Sequence, residues 1–427
     1  MKIEQTTRDF PTQEKLFSLD WYRTLTSTSV HAFWASFLGY ALDAFDYQIF
    51  TFILTAIAAS FALSTAQSGL IATATLVVSA FGGLLAGMLA DTIGRVKTLM
   101  LTIGVYSLFT FLSGLSPNYE FLLIFRSLQG LGFGGEWAAG AILIAEVADP
   151  AQRGRVLGMV QSSWAIGWAV ALIAYTIVFS IFPPELGWRI SFCLGILPGL
   201  ATLYIRRTVR EPEVFVQTRE HGATRNSLIQ IFQPDLLGKT LPATLLAVGA
   251  QGGYYAIFTW LPTFLKTARH LSIVGSVPYL SVVILGSFVG YVASGYINDW
   301  IGRKLTFILY AICSGLLIYF YTQIPAGANA LLLILGAPLG FFASGIFSGF
   351  GSYLAELFPS RARGAGQGFC YNFGRGIGAF FPAIIGLLSL KIGLAGAIGF
   401  GALGYVLCII SLFFLPETKG EVLKPIE

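Results

Sequence analysis

"GMLADTIGR", residues 87–95, returns in pattern as "GYINDWIGR" at residues 295–303. Both stretches read G-x-x-x-D-x-x-G-R, and their starts lie 208 positions apart. A second pair keeps nearly the same offset. "AEVADPAQRG" begins at Ala145 and "AELFPSRARG" at Ala355, both of the form A-E-x6-R-G, 210 positions apart. Two motifs recurring at almost one spacing mark an internal duplication. Parallel halves related by an axis along the membrane normal are a transporter architecture.

The rest of the chain agrees with a membrane setting. It has 427 residues, of which 55% are hydrophobic and 11% charged, whereas soluble chains carry about 25% charged residues. Twelve apolar blocks are read at about 30–55, 66–90, 97–116, 120–146, 154–181, 188–206, 240–265, 276–298, 304–323, 329–357, 363–389 and 393–415. Blocks of this length suit membrane helices of about 20 residues rather than barrel strands. One long polar stretch, residues 206–239, separates the sixth block from the seventh. The expected organisation is an all-α fold of two six-helix bundles, 25–206 and 240–415. A linker at 207–239 joins them, and tails at 1–24 and 416–427 flank them. The first 24 residues are polar and mixed in charge, so no cleavable leader is expected.

Charge sets the orientation. Arg95, Lys97, Arg153, Arg155, Arg303, Lys304, Arg361 and Arg363 fall in even-numbered connections, as do the linker cations. The odd-numbered connections hold only Lys266, Arg269, Lys391 and the borderline Arg189. The basic side is expected to be cytoplasmic, with both termini inside a plasma (bacterial inner) membrane. The formal charge of +5 is then a matter of topology, and no nucleic-acid partner is implied.

The repeated motifs sit at the basic boundary. Gly87 and Gly295 are expected to let a helix end pack closely on a neighbour. Asp91 and Asp299 can meet a helix amino terminus or a basic side chain. Gly94 and Gly302 permit a tight turn, and Arg95 and Arg303 add ion-pair partners. With Glu146, Arg153, Glu356 and Arg363 they form a candidate conformational latch, one copy in each half.

These loop motifs, "RSLQGLGFGGE" from Arg126 and "PETKG" after the last block resemble the major facilitator superfamily over essentially the whole chain. "LDAFDYQIFTFILTAI" in the first span is similar to the sialate:proton symporter family, which includes sialic acid carriers and lactate–pyruvate permeases. It is also similar to the neighbouring aromatic acid:proton symporters, with Ala44 where many of these have glycine. The resemblance implies alternating-access transport rather than enzymatic chemistry.

The charges inside the apolar blocks carry the functional reading. Asp43 and Asp46 are three apart, on one face of the first helix. A carboxylate at a bilayer centre costs at least about 2.5 kcal/mol, so such residues commonly mark ion paths. Burial and a neighbouring like charge both favour the protonated form, which suits a reversible proton carrier. Alternatively, one aspartate only neutralises a buried arginine. Arg126 is the expected partner of Asp46, because their depths differ by about 5 Å at about 1.5 Å per residue. Glu136, nearer the midplane, is a second proton site or a structural hydrogen-bonding group.

In the second half, Arg375 lies deep in the eleventh span, with Tyr371 and Asn372 close by. A guanidinium stays charged and matches a carboxylate fork to fork, so Arg375 is the leading substrate anchor. Its alternative is a pair with an acid of the other half. The repeat offset carries Asp43 and Asp46 onto Gln251 and Tyr254, with Tyr255 adjacent. These three are expected to face the central cavity and contact substrate. Trp137, Trp164 and Trp168 read as packing or interface residues.

The sequence has no G-x4-G-K-[ST] phosphate loop, its three histidines are scattered, and its four cysteines have no paired spacing. No cofactor, metal or nucleophile is expected. The reading is proton-coupled uptake of a small organic anion, such as a monocarboxylate, by one chain in the bilayer. The alternative is export or exchange of another organic solute, an aromatic acid, sialic acid or dicarboxylate.

Overall fold

The computed structural model describes residues 26–147, 153–200, 229–325, 327–359 and 362–419, with isolated positions 22 and 207. The described chain is helical. The first five spans are single helices: Ser27–Ser60, Thr65–Ile93, Arg95–Gly114, Tyr119–Val147 and Arg153–Ile181. The sixth is Pro184–Cys193, followed by a 3₁₀ stretch, Leu194–Leu200. The seventh is broken, Pro234–Phe258 then Leu261–Thr267, where Pro262 removes a backbone donor at the restart. The eighth and ninth are Ile273–Ile301 and Arg303–Gln323. The tenth runs Asn329–Gly345, 3₁₀ Ile346–Gly349 and Phe350–Leu357. The eleventh starts as Arg363–Gly378. Helix Phe380–Gly399 then turns at Gly393 (φ 74°) into the twelfth, which ends as Ala402–Phe413. Among the described residues, eight helical stretches are long and apolar enough to cross a membrane.

The duplication is visible in the backbone. Gly94 has φ 109°, ψ 157°, and its repeat partner Gly302 has φ 100°, ψ 164°. A side chain is strained at such positive φ, so each glycine permits the turn between two successive spans.

Two seams join the halves: the second span packs on the eleventh, and the fifth on the eighth. Hydrogen bonds across the molecule concentrate away from the basic face. Thr65 Oγ1 donates to Gly386 O (3.1 Å), and Thr73 Oγ1 donates to Ala379 O (2.7 Å). Tyr47 and Thr259 share a hydrogen bond of 2.7 Å, and Lys266 Nζ donates to Thr55 Oγ1 at 3.1 Å. A methyl group built on Gly87, Gly158, Gly295 or Gly368, one on each seam helix, would meet nothing within 4 Å. Among the described residues, the close packing expected at Gly87 and Gly295 is not made.

Candidate functional site

The site is organised around the fourth span. Its glycines face both neighbours: Gly130 and Gly134 lie against the backbone of the second span at Thr75 and Ser79, Gly132 lies against Thr102 and Tyr106 of the third, and Gly135 lies between Thr102 of the third and Ala86 of the second. The stretch "RSLQGLGFGGE" thus wedges one helix between two others. Arg126 and Glu136, at its two ends, are delivered to the first span.

At the end away from the basic face, Asp46 is fully held. Its Oδ2 accepts from Arg126 Nη1 at 3.2 Å and from Gln129 Nε2 at 2.6 Å, and its Oδ1 accepts from Thr110 Oγ1. The Arg126 guanidinium lies 4.7 Å from the Phe50 ring centroid and 5.4 Å from that of Phe192. Such faces attract a cation in a desolvated site. All these residues belong to the first half.

One turn nearer the basic face, the acids are not held. The Glu136 carboxyl lies over Gly39, where a methyl group would meet its Cδ at 3.2 Å. Gly39 is one helical turn from Asp43, and the two carboxyls are electrostatic neighbours. Neither Glu136 oxygen has a donor, and Asp43 Oδ1 has none. Asp43 and Glu136 are buried, each 1% exposed.

Arg375 faces these acids from the other half, within electrostatic reach of both. It is 4% exposed, and its Nε and Nη1 have no acceptor. Its guanidinium carbon lies 5.6 Å from the Phe133 ring centroid and 5.3 Å from that of Tyr371. Further rings surround this point. Tyr47 lies 6.0 Å from Phe133 at 21° between ring planes, 6.1 Å from Trp164 and 5.8 Å from Tyr255. Trp164 Nε1 donates to Tyr254 OH at 2.8 Å across the two halves. Gln251 Nε2 donates to Tyr371 O at 2.9 Å. The Asn372 side chain lies against Gly83, with its Oδ1 unpartnered. The result is a buried cluster of aromatic rings from both halves, with the Arg375 guanidinium among them.

A family model described as the Major Facilitator Superfamily matches residues 36–328 and 280–427. This chain belongs to the major facilitator superfamily. A probable 4-methylmuconolactone transporter of Cupriavidus pinatubonensis is 40% identical over 407 residues, 95% of each chain. A cis,cis-muconate transport protein of Acinetobacter baylyi is 30% identical, covering 91% of this chain and 95% of that one. In fold, the chain matches an inward-open structure of the xylose transporter XylE from E. coli. The TM-score is 0.69 at 20% identity, over 92% of this chain and 98% of that one. The protein is a multi-pass inner-membrane transporter, not an enzyme.

The superfamily loop motifs are resolved in the second half. Arg303 is bidentate to Glu356 (Nη2–Oε1 2.9 Å, Nε–Oε2 3.1 Å) and bonds Asp299 at 2.9 Å. The segment "PETKG" docks on them. Glu417 accepts from the backbone N–H groups of Arg303 (2.8 Å) and Lys304 (3.0 Å), capping the ninth helix, and Thr418 Oγ1 donates to Glu356 Oε2 at 2.5 Å. The side chains of Asp91, Arg95, Glu146, Arg153 and Arg363 lie outside the described residues, as does that of Trp137.

Trp164, read from sequence as a packing residue, forms part of the aromatic cluster and bridges the halves. Tyr40, Tyr47 and Phe133 belong to the same cluster and were not anticipated. Tyr40, Asp43 and Tyr47 repeat at helical spacing on one face, which is a usable signal. Thr110 and Gln129, which hold Asp46, carried none beyond the spacing of Gln129 from Arg126.

Proposed function

We propose that this transporter takes up a small, flat, unsaturated organic acid together with protons, by alternating access, with the basic face cytoplasmic. The observation that carries the reading is Arg375: a buried guanidinium with two free nitrogens, walled by aromatic rings. A carboxylate supplies the missing acceptors in a charge-assisted bond. The ring faces suit a conjugated body more than a flexible aliphatic one, because aromatic pairs gain beyond simple area burial. The named substrates of both curated relatives, 4-methylmuconolactone and cis,cis-muconate, have this chemistry.

The coupling follows from the same geometry. Arg375 is within electrostatic reach of Asp43 and Glu136 without forming an ion pair with either. A substrate carboxylate on Arg375 takes over that cation, and the acid pair then accepts a proton to avoid an uncompensated buried charge. Asp46, held by Arg126, Gln129 and Thr110, gates the pair from behind. Protonating Asp46 would free Arg126.

The test is uptake into proteoliposomes of cis,cis-muconate and its saturated counterpart, adipate, under an imposed inward proton gradient. The reading predicts concentrative uptake of muconate and poor uptake of adipate. Equal uptake of both, or of neither, contradicts it.

A further inference from the structure

Tyr106 of the third span is buried in the first half, and its hydroxyl has no hydrogen-bond partner. Its surroundings are unusual for an unpaired phenol. A methyl group built on Gly132 of the fourth span would meet Tyr106 Cβ at 2.9 Å, and Gly132 is one turn from Glu136. Thr110, one turn from Tyr106 on its own helix, donates to Asp46. On the first span, Gly39 under the Glu136 carboxyl is one turn from Asp43, which is three residues from Asp46. The four positions thus lie on three adjoining helices, within about a turn of the contacts that join them: Asp46 and Asp43 on the first, Tyr106 on the third and Glu136 on the fourth. The titratable groups in electrostatic reach of Tyr106 are those three acids, and Arg126 stands behind Asp46.

We propose that the Tyr106 hydroxyl relays the transported proton between Asp46 and the Asp43–Glu136 pair. The step conserves charge. Protonated Asp46 donates to the phenol oxygen as the phenol O–H proton passes to a carboxylate of the pair. Tyr106 ends neutral, Asp46 ends ionised and rejoins Arg126, and one acid of the pair ends protonated. The order of sites gives the proton a route through the first half that ends at the acids facing Arg375. The second half lacks the device. The repeat offset carries Asp43, Asp46, Tyr106 and Glu136 onto Gln251, Tyr254, Ser314 and Ser344, which include no carboxylate.

The inference rests on the proposed proton coupling, and the test keeps the two apart. Native protein and Tyr106→Phe are reconstituted with a pH-sensitive dye inside the vesicles. The probe is whichever of cis,cis-muconate, nicotinate and benzoate the native protein accumulates best. Tyr106→Phe keeps the ring and its packing, and loss of an unpaired hydroxyl should leave the melting temperature unchanged or raised. Exchange of labelled for unlabelled acid should persist. Gradient-driven accumulation and acid-induced proton entry should fall by about a hundredfold, the scale of a lost proton-transfer group. Native-like accumulation and proton entry in Tyr106→Phe would overturn the relay. So would a lowered melting temperature with coupling retained in the surviving protein. Failure of the native protein to move protons with any of the three acids would overturn the coupling itself, and the relay with it.

Discussion

Replacing Arg375 is the most informative single change. Its guanidinium has two nitrogens without acceptors, Nε and Nη1. A hydrogen bond to a charged group contributes about 1.5–3 kcal/mol, and about 1.4 kcal/mol is a factor of ten in affinity. One lost bond is therefore worth roughly ten- to hundredfold, and two free nitrogens make that a floor for Arg375→Ala. Arg375→Lys restores the charge but not the planar donor set, so it should recover only part of the loss. Calorimetry with cis,cis-muconate and its diamide on native and mutant proteins checks this. The diamide should bind the native protein weakly and distinguish native from mutant less than the acid does. Unchanged affinity of Arg375→Ala for the acid would refute the anchor, and Arg126 would then be the next cation to test.

Three further outcomes follow from neighbouring features. Asp46→Asn leaves Arg126 buried without its anion; removing one partner of a buried pair costs about 3–5 kcal/mol. It should lower the melting temperature as well as abolish gradient-driven uptake, and Asp46→Asn/Arg126→Leu should recover stability but not uptake. Gly158→Leu and Gly368→Leu add a side chain whose Cβ meets nothing within 4 Å here, and should obstruct closure of the basic face. Both should bind substrate and fail to transport, with cysteine-labelling at the basic face locked in the accessible state. Glu356→Gln breaks the bidentate bond to Arg303 and should slow turnover with little change in affinity, read from initial uptake rates against substrate concentration.

Much of the architecture was legible in sequence because duplication leaves a record that does not depend on tertiary contacts. The G-x-x-x-D-x-x-G-R repeat names positions whose backbones turn out alike, at Gly94 and Gly302. Depth counting along apolar blocks brought Arg126 to Asp46, since rise per residue is fixed in a helix. It could not say which acids are held and which are free. That distinction rests on Thr110 and Gln129, whose side chains reach Asp46 only after three helices have packed. Trp164 packs in the core as read from sequence, but its hydrogen bond to Tyr254 across the halves was not legible for the same reason. An aromatic residue in an apolar helix is ordinary until its neighbours, here Tyr47, Phe133 and Tyr254, are known. The glycines of "RSLQGLGFGGE" were visible as a motif, but which of them meet the second span and which the third required the neighbours themselves. The close helix packing expected at Gly87 and Gly295 is not made among the described residues.

The central claim is that movement of the acid is tied to movement of protons through the Asp43–Glu136 pair. Its most direct test is the double variant Asp43→Asn/Glu136→Gln, reconstituted beside the native protein, with acid uptake and internal pH recorded together. The account predicts that native vesicles accumulate the acid and acidify in step. The double variant should equilibrate or exchange the acid without acidification and without response to an imposed pH gradient. Gradient-driven accumulation by the double variant equal to that of the native protein would contradict the account.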